Sequence, residues 1–232
     1  MVNGALKAVF FDVDFTLARP GPELGPDGYV RAGARHGLRL ERAHYEHARL
    51  AAIDDLQRHP ELIHDEEIWI AFTEDIVRGM GGAPPGSRAC ALELVRAWER
   101  HENFFLYEDA LPALEELRRH GLRVGLVSNG QRDLDEFIMH HGLEVDIAVA
   151  SSTHGRQKPH PAIFEAALSA LGVQPSEAAM VGDSLDDDIA GARALGMRAL
   201  LLDRDGRYPD EPDRIPDLFA LPAALGLSPS ER

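Results

Sequence analysis

The sequence predicts an α/β protein, a doubly wound parallel sheet interrupted after its first strand by an all-helical insertion. Three observations predict it. The run Ala8-Val9-Phe10-Phe11 is apolar at every position, as a central strand buried on both faces must be. From about residue 106 onward, helical periodicity and short apolar runs alternate strictly, the pattern of βαβ units and right-handed crossovers. Between these two regions no convincing strand is legible until about residue 123, and four helical stretches fill the gap.

The first strand covers about residues 6 to 12 and runs into a loop punctuated by Pro20, Gly21, Pro22, Gly25 and Pro26. Helices are expected over about 27–37, then 41–58, with Leu50, Ile53 and Leu56 on one side and a stop near Pro60. The third, about 65–80, repeats Trp69, Phe72, Ile76 and Met80 at helical spacing, a packing stripe. After the breaker Gly81-Gly82-Ala83-Pro84-Pro85-Gly86 comes a fourth, about 87–101. A helix near 109–120 stops at Gly121, and strand Arg123–Val127 follows. The alternation continues with a helix near 131–141, strand Ile147–Ala150, a helix near 160–171 and strand Ala178–Val181. It ends with a helix near 187–195 and strand Ala199–Leu202. The tail, with Pro209, Pro212, Pro216, Pro222 and Pro229, is expected to wrap the surface with little regular structure. The expected domains are therefore an α/β core of residues 1–18 and 106–232 and a helical domain of 19–105. The latter is placed to act as a movable lid over the strand ends.

The bulk numbers bound the partners. With 44% hydrophobic and 27% charged residues the chain is an ordinary globular protein. No apolar stretch reaches membrane-spanning length, and no secretory leader is visible. A net charge of −15 argues against nucleic acid as the main ligand. The lone Cys90 sits in an apolar helical context, reading as a packed thiol, and one cysteine fits a reducing cytoplasm. There is no dinucleotide-binding glycine motif, no P-loop and no nucleophile elbow. Of 24 basic residues only Lys7 and Lys158 are lysines. In a chain that uses arginine as its general cation, an internal lysine stands out.

Chemistry concentrates at the carboxyl ends of the core strands, where open α/β sheets bind their ligands. The first ends in Asp12 and Asp14, a pair that repels itself unless a cation neutralises it. The second gives Ser128-Asn129-Gly130. Gly155-Arg156-Gln157-Lys158-Pro159 follows the third, and the fourth gives Gly182-Asp183-Ser184-Leu185-Asp186-Asp187-Asp188. Carboxylates, hydroxyl and amide donors and one compact cation are the inventory for a divalent metal ion and a phosphoryl group.

In order and spacing these four segments resemble the motifs of the haloacid dehalogenase (HAD) superfamily, phosphatase type, and the helical insertion resembles its cap domain. The resemblance implies a Rossmann-like core and a Mg²⁺-dependent phosphatase acting on a small phosphorylated metabolite. It implies Asp12 as the nucleophile and Asp14 as the general acid and base. Ser128, Asn129 and Lys158 would bind the phosphoryl group. Mg²⁺ would be held by Asp12, the backbone carbonyl of Asp14, and Asp183, with Asp188 and Asp187 behind them. Asp14 favours phosphoryl chemistry over dehalogenation. The absence of lysine between residues 8 and 157 excludes a Schiff-base lysine from the insertion. A phosphomutase of the same superfamily and a non-catalytic phospho-switch or ligand sensor are the alternatives, although receiver domains lack an insertion of this size. The sequence names neither the substrate, whose recognition is expected within residues 20–105, nor the oligomeric state.

Two positions depart from the pattern. Phe15 stands where many members have glycine, and Asp187 where many have asparagine. Among the histidines, His154 and His160 flank Lys158 and are candidates to line the site. His44 and His47 lack an evident third ligand, and His64-Asp65 echoes a different metal-phosphohydrolase pair whose other ligands cannot be placed.

Overall fold

The structure is a computed structural model that describes residues 5–57 and 63–228. Its strands are β1 (Ala8–Phe11), β2 (Ala18–Pro20), β3 (Phe104–Leu106), β4 (Arg123–Ser128), β5 (Ile147–Ala150), β6 (Ala178–Gly182), β7 (Arg198–Leu202) and β8 (Arg214–Ile215). Six of them form one parallel sheet in the order β5-β4-β1-β6-β7-β8. The strand order reverses beside β1, which pairs with β4 on one side and β6 on the other. Phe11 lies opposite both Leu126 and Val181, so Asp12 leaves the sheet at the switch point where such folds bind ligands. The second sheet pairs β2 with β3.

The helices are α1 (Pro26–Arg35), α2 (Tyr45–Gln57), α3 (Glu66–Gly79), α4 (Gly86–Glu99), α5 (Ala110–Arg119), α6 (Leu134–His141), α7 (Ser151–His154), α8 (Pro161–Leu171), α9 (Gly191–Ala194) and α10 (Leu221–Leu225). The chain divides into two compact units. One is Met1–Arg19, Leu106–Gly130 and Leu134–Arg232; the other is Pro20–Phe105 and Gln131–Asp133.

In the first unit, α8 packs its apolar side on the sheet. Ile163, Phe164, Ala167 and Leu168 join Phe10, Val127, Met180 and Leu201 in one buried cluster. Pro161 opens α8, and Gly172, at φ +61°, closes it in the left-handed conformation that glycine adopts without strain. Gly125 of β4 has a steric role, because a Cβ there would lie 2.6 Å from the Phe10 ring.

The second unit has its own core of Tyr29, Tyr45, Ile76, Val77, Met80, Cys90 and Leu94. The Tyr29 and Tyr45 rings meet edge to face with centroids 5.1 Å apart. In α3 the expected stripe is half realised. Ile76 and Met80 are buried, while Trp69 and Phe72 are half-buried and pack edge to face against each other.

Several expectations are corrected. Strands do occur before residue 123, as the short β2 and β3, and the tail contains β8 and α10. Elements of two or three residues carry too little periodicity to read. The helix expected at 187–195 is a π-helical turn, Leu185–Ala190, running into α9, and the one expected from residue 131 begins at Leu134. Leu50 is exposed rather than packed. Pro60 and Pro229, and the side chain of Leu56, lie outside what is described.

Candidate active site

Three strand ends converge in the first unit. Asp12 follows β1, and its backbone amide donates to the carbonyl of Val181 on β6, which carries the sheet's pairing one residue past the strand. Ser128 is the last residue of β4 and is buried. Gly182 closes β6, and Asp183 follows it.

Lys158 lies between these ends. Its Nζ donates to Asp12 Oδ1 and to Asp188 Oδ1, each at 2.6 Å. All three residues are nearly closed to solvent, with Lys158 2%, Asp188 1% and Asp12 7% exposed. Asn129 fixes the lysine's backbone reciprocally: its side-chain amide donates to the Lys158 carbonyl at 2.9 Å, and its carbonyl oxygen accepts from the Lys158 amide at 2.7 Å. The clasp joins segments 29 residues apart and aims the lysine stem at Asp12.

The π-helical turn brings Asp188 back to the cluster. Asp188 Oδ2 accepts from the Ser184 amide at 3.1 Å, and Ser184 Oγ accepts from the Asp187 amide at 3.1 Å. A π turn carries an extra residue and re-aims side chains, a feature frequent at functional sites. Gly182 is what allows the approach, since a Cβ there would lie 2.1 Å from Asp188 Oδ2. The sequence places Gly182 directly before Asp183 at a strand end but does not by itself assign it this role.

The electrostatics follow from burial. Burial opposes the charge on Lys158, but the carboxylates of Asp12 and Asp188 outweigh it and hold the ammonium above its ordinary pKa. Burial pushes the Asp188 carboxyl up to about 7 even though Lys158 pulls the other way. Asp187 is pushed up to about 6, also by burial. Asp183 is raised well above the usual carboxylate range by burial and by the negative charges of Asp12 and Asp188. One lysine does not balance this concentration of carboxylates.

Carboxylate oxygens of Asp12, Asp183 and Asp188 lie within 4.8 Å of one another. Three hard oxygen donors, two of which (Asp183 and Asp188) are raised in pKa by burial and neighbouring negative charge, suit a divalent cation such as Mg²⁺, whose charge would offset both. Of the carboxylates singled out in the sequence, Asp12, Asp183 and Asp188 are brought together. The side chains of Asp14 and Asp187 are not part of this group.

Asp14 sits in the turn that follows β1 and bridges to Ala18. The turn closes on itself: Phe15 N–H donates to the Ala18 carbonyl, and Leu17 and Ala18 N–H donate to the Val13 carbonyl. Phe15 has φ +65° and is the non-glycine residue with positive φ among the described residues. A left-handed conformation costs a bulky L-residue on the order of 1–2 kcal/mol, so the position that departs from glycine carries backbone strain.

His160 Nδ1 accepts from the Ala162 amide at 3.2 Å and caps α8. His154 ends α7 with its Nδ1 buried and without a hydrogen-bond partner. His44 and His47 are exposed. Asp65 is the N-cap of α3, accepting from the Glu67 amide. Burial raises the Cys90 thiol to about 11, so it is inert.

Comparison with known proteins identifies the family. The family model of the haloacid dehalogenase-like hydrolases matches residues 6–196. A phosphoserine phosphatase of Thermus thermophilus is 42% identical over 141 residues, 60% of this chain and 55% of the relative, so this chain spans little more than half that relative's length. A glyceraldehyde 3-phosphate phosphatase of Methanopyrus kandleri is 33% identical over 228 residues, 91% of each chain. Among solved structures, a HAD phosphatase from Thermococcus onnurineus superposes with TM-score 0.66 at 27% identity, over 95% of this chain and 98% of that one. The HAD-hydrolase YfnB of Bacillus subtilis, at 18% identity, shares the fold with TM-score 0.76 over 97% of this chain and 100% of its own. With a switch-point aspartate, a clasped lysine and an acidic strand end on a matching fold, this chain belongs to the haloacid dehalogenase-like hydrolases.

Proposed function

We propose that the protein is a Mg²⁺-dependent phosphatase that hydrolyses a small phosphorylated metabolite through a phosphoaspartyl enzyme. The observation that carries this reading is the Lys158 ammonium held at 2.6 Å from both Asp12 and Asp188 beside a third, half-buried carboxylate. Such a centre stores charge of both signs out of water, which is costly unless it does chemistry.

In this reading an Asp12 carboxylate oxygen attacks phosphorus and the ester P–O bond breaks. The protonated Asp14 carboxyl gives its proton to the leaving oxygen, releasing the alcohol. Asp14, now a carboxylate, takes a proton from a water molecule as that water attacks phosphorus. The bond to Asp12 breaks, and inorganic phosphate and the free carboxylate are restored. Lys158 neutralises charge on the phosphoryl oxygens, and Ser128 donates to one of them. Asp12, Asp183 and the Asp14 carbonyl, with Asp188 beside them, would hold Mg²⁺, which supplies charge neutralisation that lets an anionic nucleophile approach an anionic phosphate. Phosphatases among the relatives support a small phosphorylated substrate. A cytoplasmic location fits the single buried cysteine, and no described helix is long and apolar enough to cross a membrane.

The test is release of inorganic phosphate from an aryl phosphate, with Mg²⁺ and with chelator, by wild type and by Asp12→Asn. Mg²⁺-dependent release that is lost in folded Asp12→Asn is expected. Release that persists in the variant, or that chelator leaves untouched, would overturn the reading.

A further inference from the structure

The turn that carries Asp14 is held from a distant part of the chain. Thr16 presents its carbonyl to Arg204, which follows β7, and Arg204 Nη2 donates to it at 3.0 Å. The same guanidinium makes a two-pronged pair with Asp109 at the start of α5, Nη1 to Oδ2 at 2.8 Å and Nη2 to Oδ1 at 2.9 Å. Asp109 is 1% exposed, and its Oδ2 also accepts from the Leu218 amide at 2.8 Å. The guanidinium carbon lies over the Tyr107 ring, 3.8 Å from its centroid, and the Tyr107 amide donates to the Leu17 carbonyl. A fork fixed by a carboxylate on one edge and packed against an aromatic ring therefore delivers a further hydrogen bond, from Nη2, to one atom of the Asp14 turn.

That turn needs an external hold. Its Phe15, Leu17 and Ala18 amides bond within the turn, leaving the Thr16 carbonyl to an outside donor, and it contains the strained Phe15. Strained residues keep their conformation only where their surroundings over-determine it.

We infer that Arg204, locked by Asp109 and Tyr107, is a positioning residue for the general acid: it fixes the turn so that the Asp14 carboxyl meets the leaving oxygen. The inference rests on the phosphatase reading above. In kcat/KM, which reads the steps up to release of the alcohol and not the later attack of water, the effect falls on protonation of the leaving group, so it separates from a loss of packing. An alkoxide leaving group needs the proton from Asp14, whereas a dinitrophenolate leaves without it.

The experiment measures kcat/KM for a series of alkyl and aryl phosphates with leaving groups of rising pKa, in wild type, Arg204→Gln, Arg204→Lys, Asp109→Asn and Asp14→Asn, with thermal unfolding of each. Arg204→Gln should lose about tenfold or more on alkyl phosphates and less than about threefold on 2,4-dinitrophenyl phosphate, part of the 10²–10⁴-fold range of general acid catalysis. Its leaving-group dependence then steepens toward that of Asp14→Asn. Arg204→Lys keeps the charge without the fork and should fall between, and it serves as the reading if Arg204→Gln does not fold. Asp109→Asn should follow Arg204→Gln. An equal loss on every substrate, tracking only the fall in unfolding temperature, would overturn the inference and leave Arg204 a packing residue. Wild type without turnover on any member of the series would overturn the phosphatase reading, and this inference with it.

Discussion

The two units place their charges in opposite ways. In the α/β unit a lysine and two aspartates are buried together beside the half-buried Asp183, and Lys158 touches two carboxylates at 2.6 Å with almost no solvent contact. In the helical unit the ion pairs keep an exposed partner, even where buried Glu74 meets Arg78 at 2.8 Å. Arg42 Nε meets Asp27 Oδ1 at 2.7 Å with side chains 68% and 59% exposed, and Arg31 meets Glu23 in the same exposed manner. Exposed pairs contribute little, typically about 0–1 kcal/mol, because water and salt screen them. Buried pairs cost desolvation that their attraction does not reliably repay, and breaking one leaves an uncompensated charge. One unit therefore uses charge for solubility and stability, and the other gives up stability to concentrate charge where three strand ends meet.

The largest break in that contrast is Lys158→Met. It should abolish turnover and destabilise the protein by about 3–5 kcal/mol near pH 7.5, the cost of leaving a buried charge unpaired. The deficit should shrink as pH falls and the carboxylates take up protons. Denaturant unfolding at pH 5 and 7.5 reads it, and a deficit that does not change with pH would contradict it.

Next is Gly182→Ala. Its Cβ would lie 2.1 Å from Asp188 Oδ2, so the π turn must shift or Asp188 must leave Lys158. A stability loss of about 1–3 kcal/mol, as for overpacking of a tight core, is expected, together with a fall in turnover. Unchanged activity would mean that Asp188 need not sit against Lys158.

The third sharpens the comparison through the metal. Folding raises Asp187 to about 6 and Asp188 to about 7, whereas the unfolded chain releases these protons near pH 4. With chelator present, the folded state therefore binds more protons than the unfolded state between pH 4 and 7, and stability falls as pH rises through that window. A cation held by the ionised carboxylates works against the fall, and its affinity rises with pH. The gain in unfolding temperature from Mg²⁺ should be larger at pH 7.5 than at pH 5.5. Equal gains at both pH values would place the metal elsewhere.

The smallest effect is expected from Arg42→Ala in the helical unit. It should change stability by less than about 1 kcal/mol and leave kcat untouched, which unfolding and steady-state assays check.

What was legible in the sequence was local. Ala8 to Phe11 read as a central strand because both faces are apolar, and Asp12 stood at its end for the same reason. Lys158 was visible because this chain otherwise uses arginine, apart from Lys7. What escaped depends on contacts between distant residues. The Asn129 clasp spans 29 residues, and the Arg204 fork reaches Asp109 across 95. β8, two residues long, exists because β7 offers it an edge. The π turn escaped because the Ser184 cap and the pull of Lys158 on Asp188 set its winding, not an apolar period. Helical spacing likewise carried no warning that Leu50 faces solvent.

The central claim is that Asp12 carries the phosphoryl group, and one measurement reaches it directly. Enzyme quenched in acid during turnover with Mg²⁺ and an aryl phosphate is reduced with borohydride and digested, and the peptide holding residue 12 is weighed. The account predicts reduction of the aspartyl-phosphate to homoserine at position 12, and none without substrate. Turnover with position 12 unmodified, or with the mark on another aspartate, would contradict it.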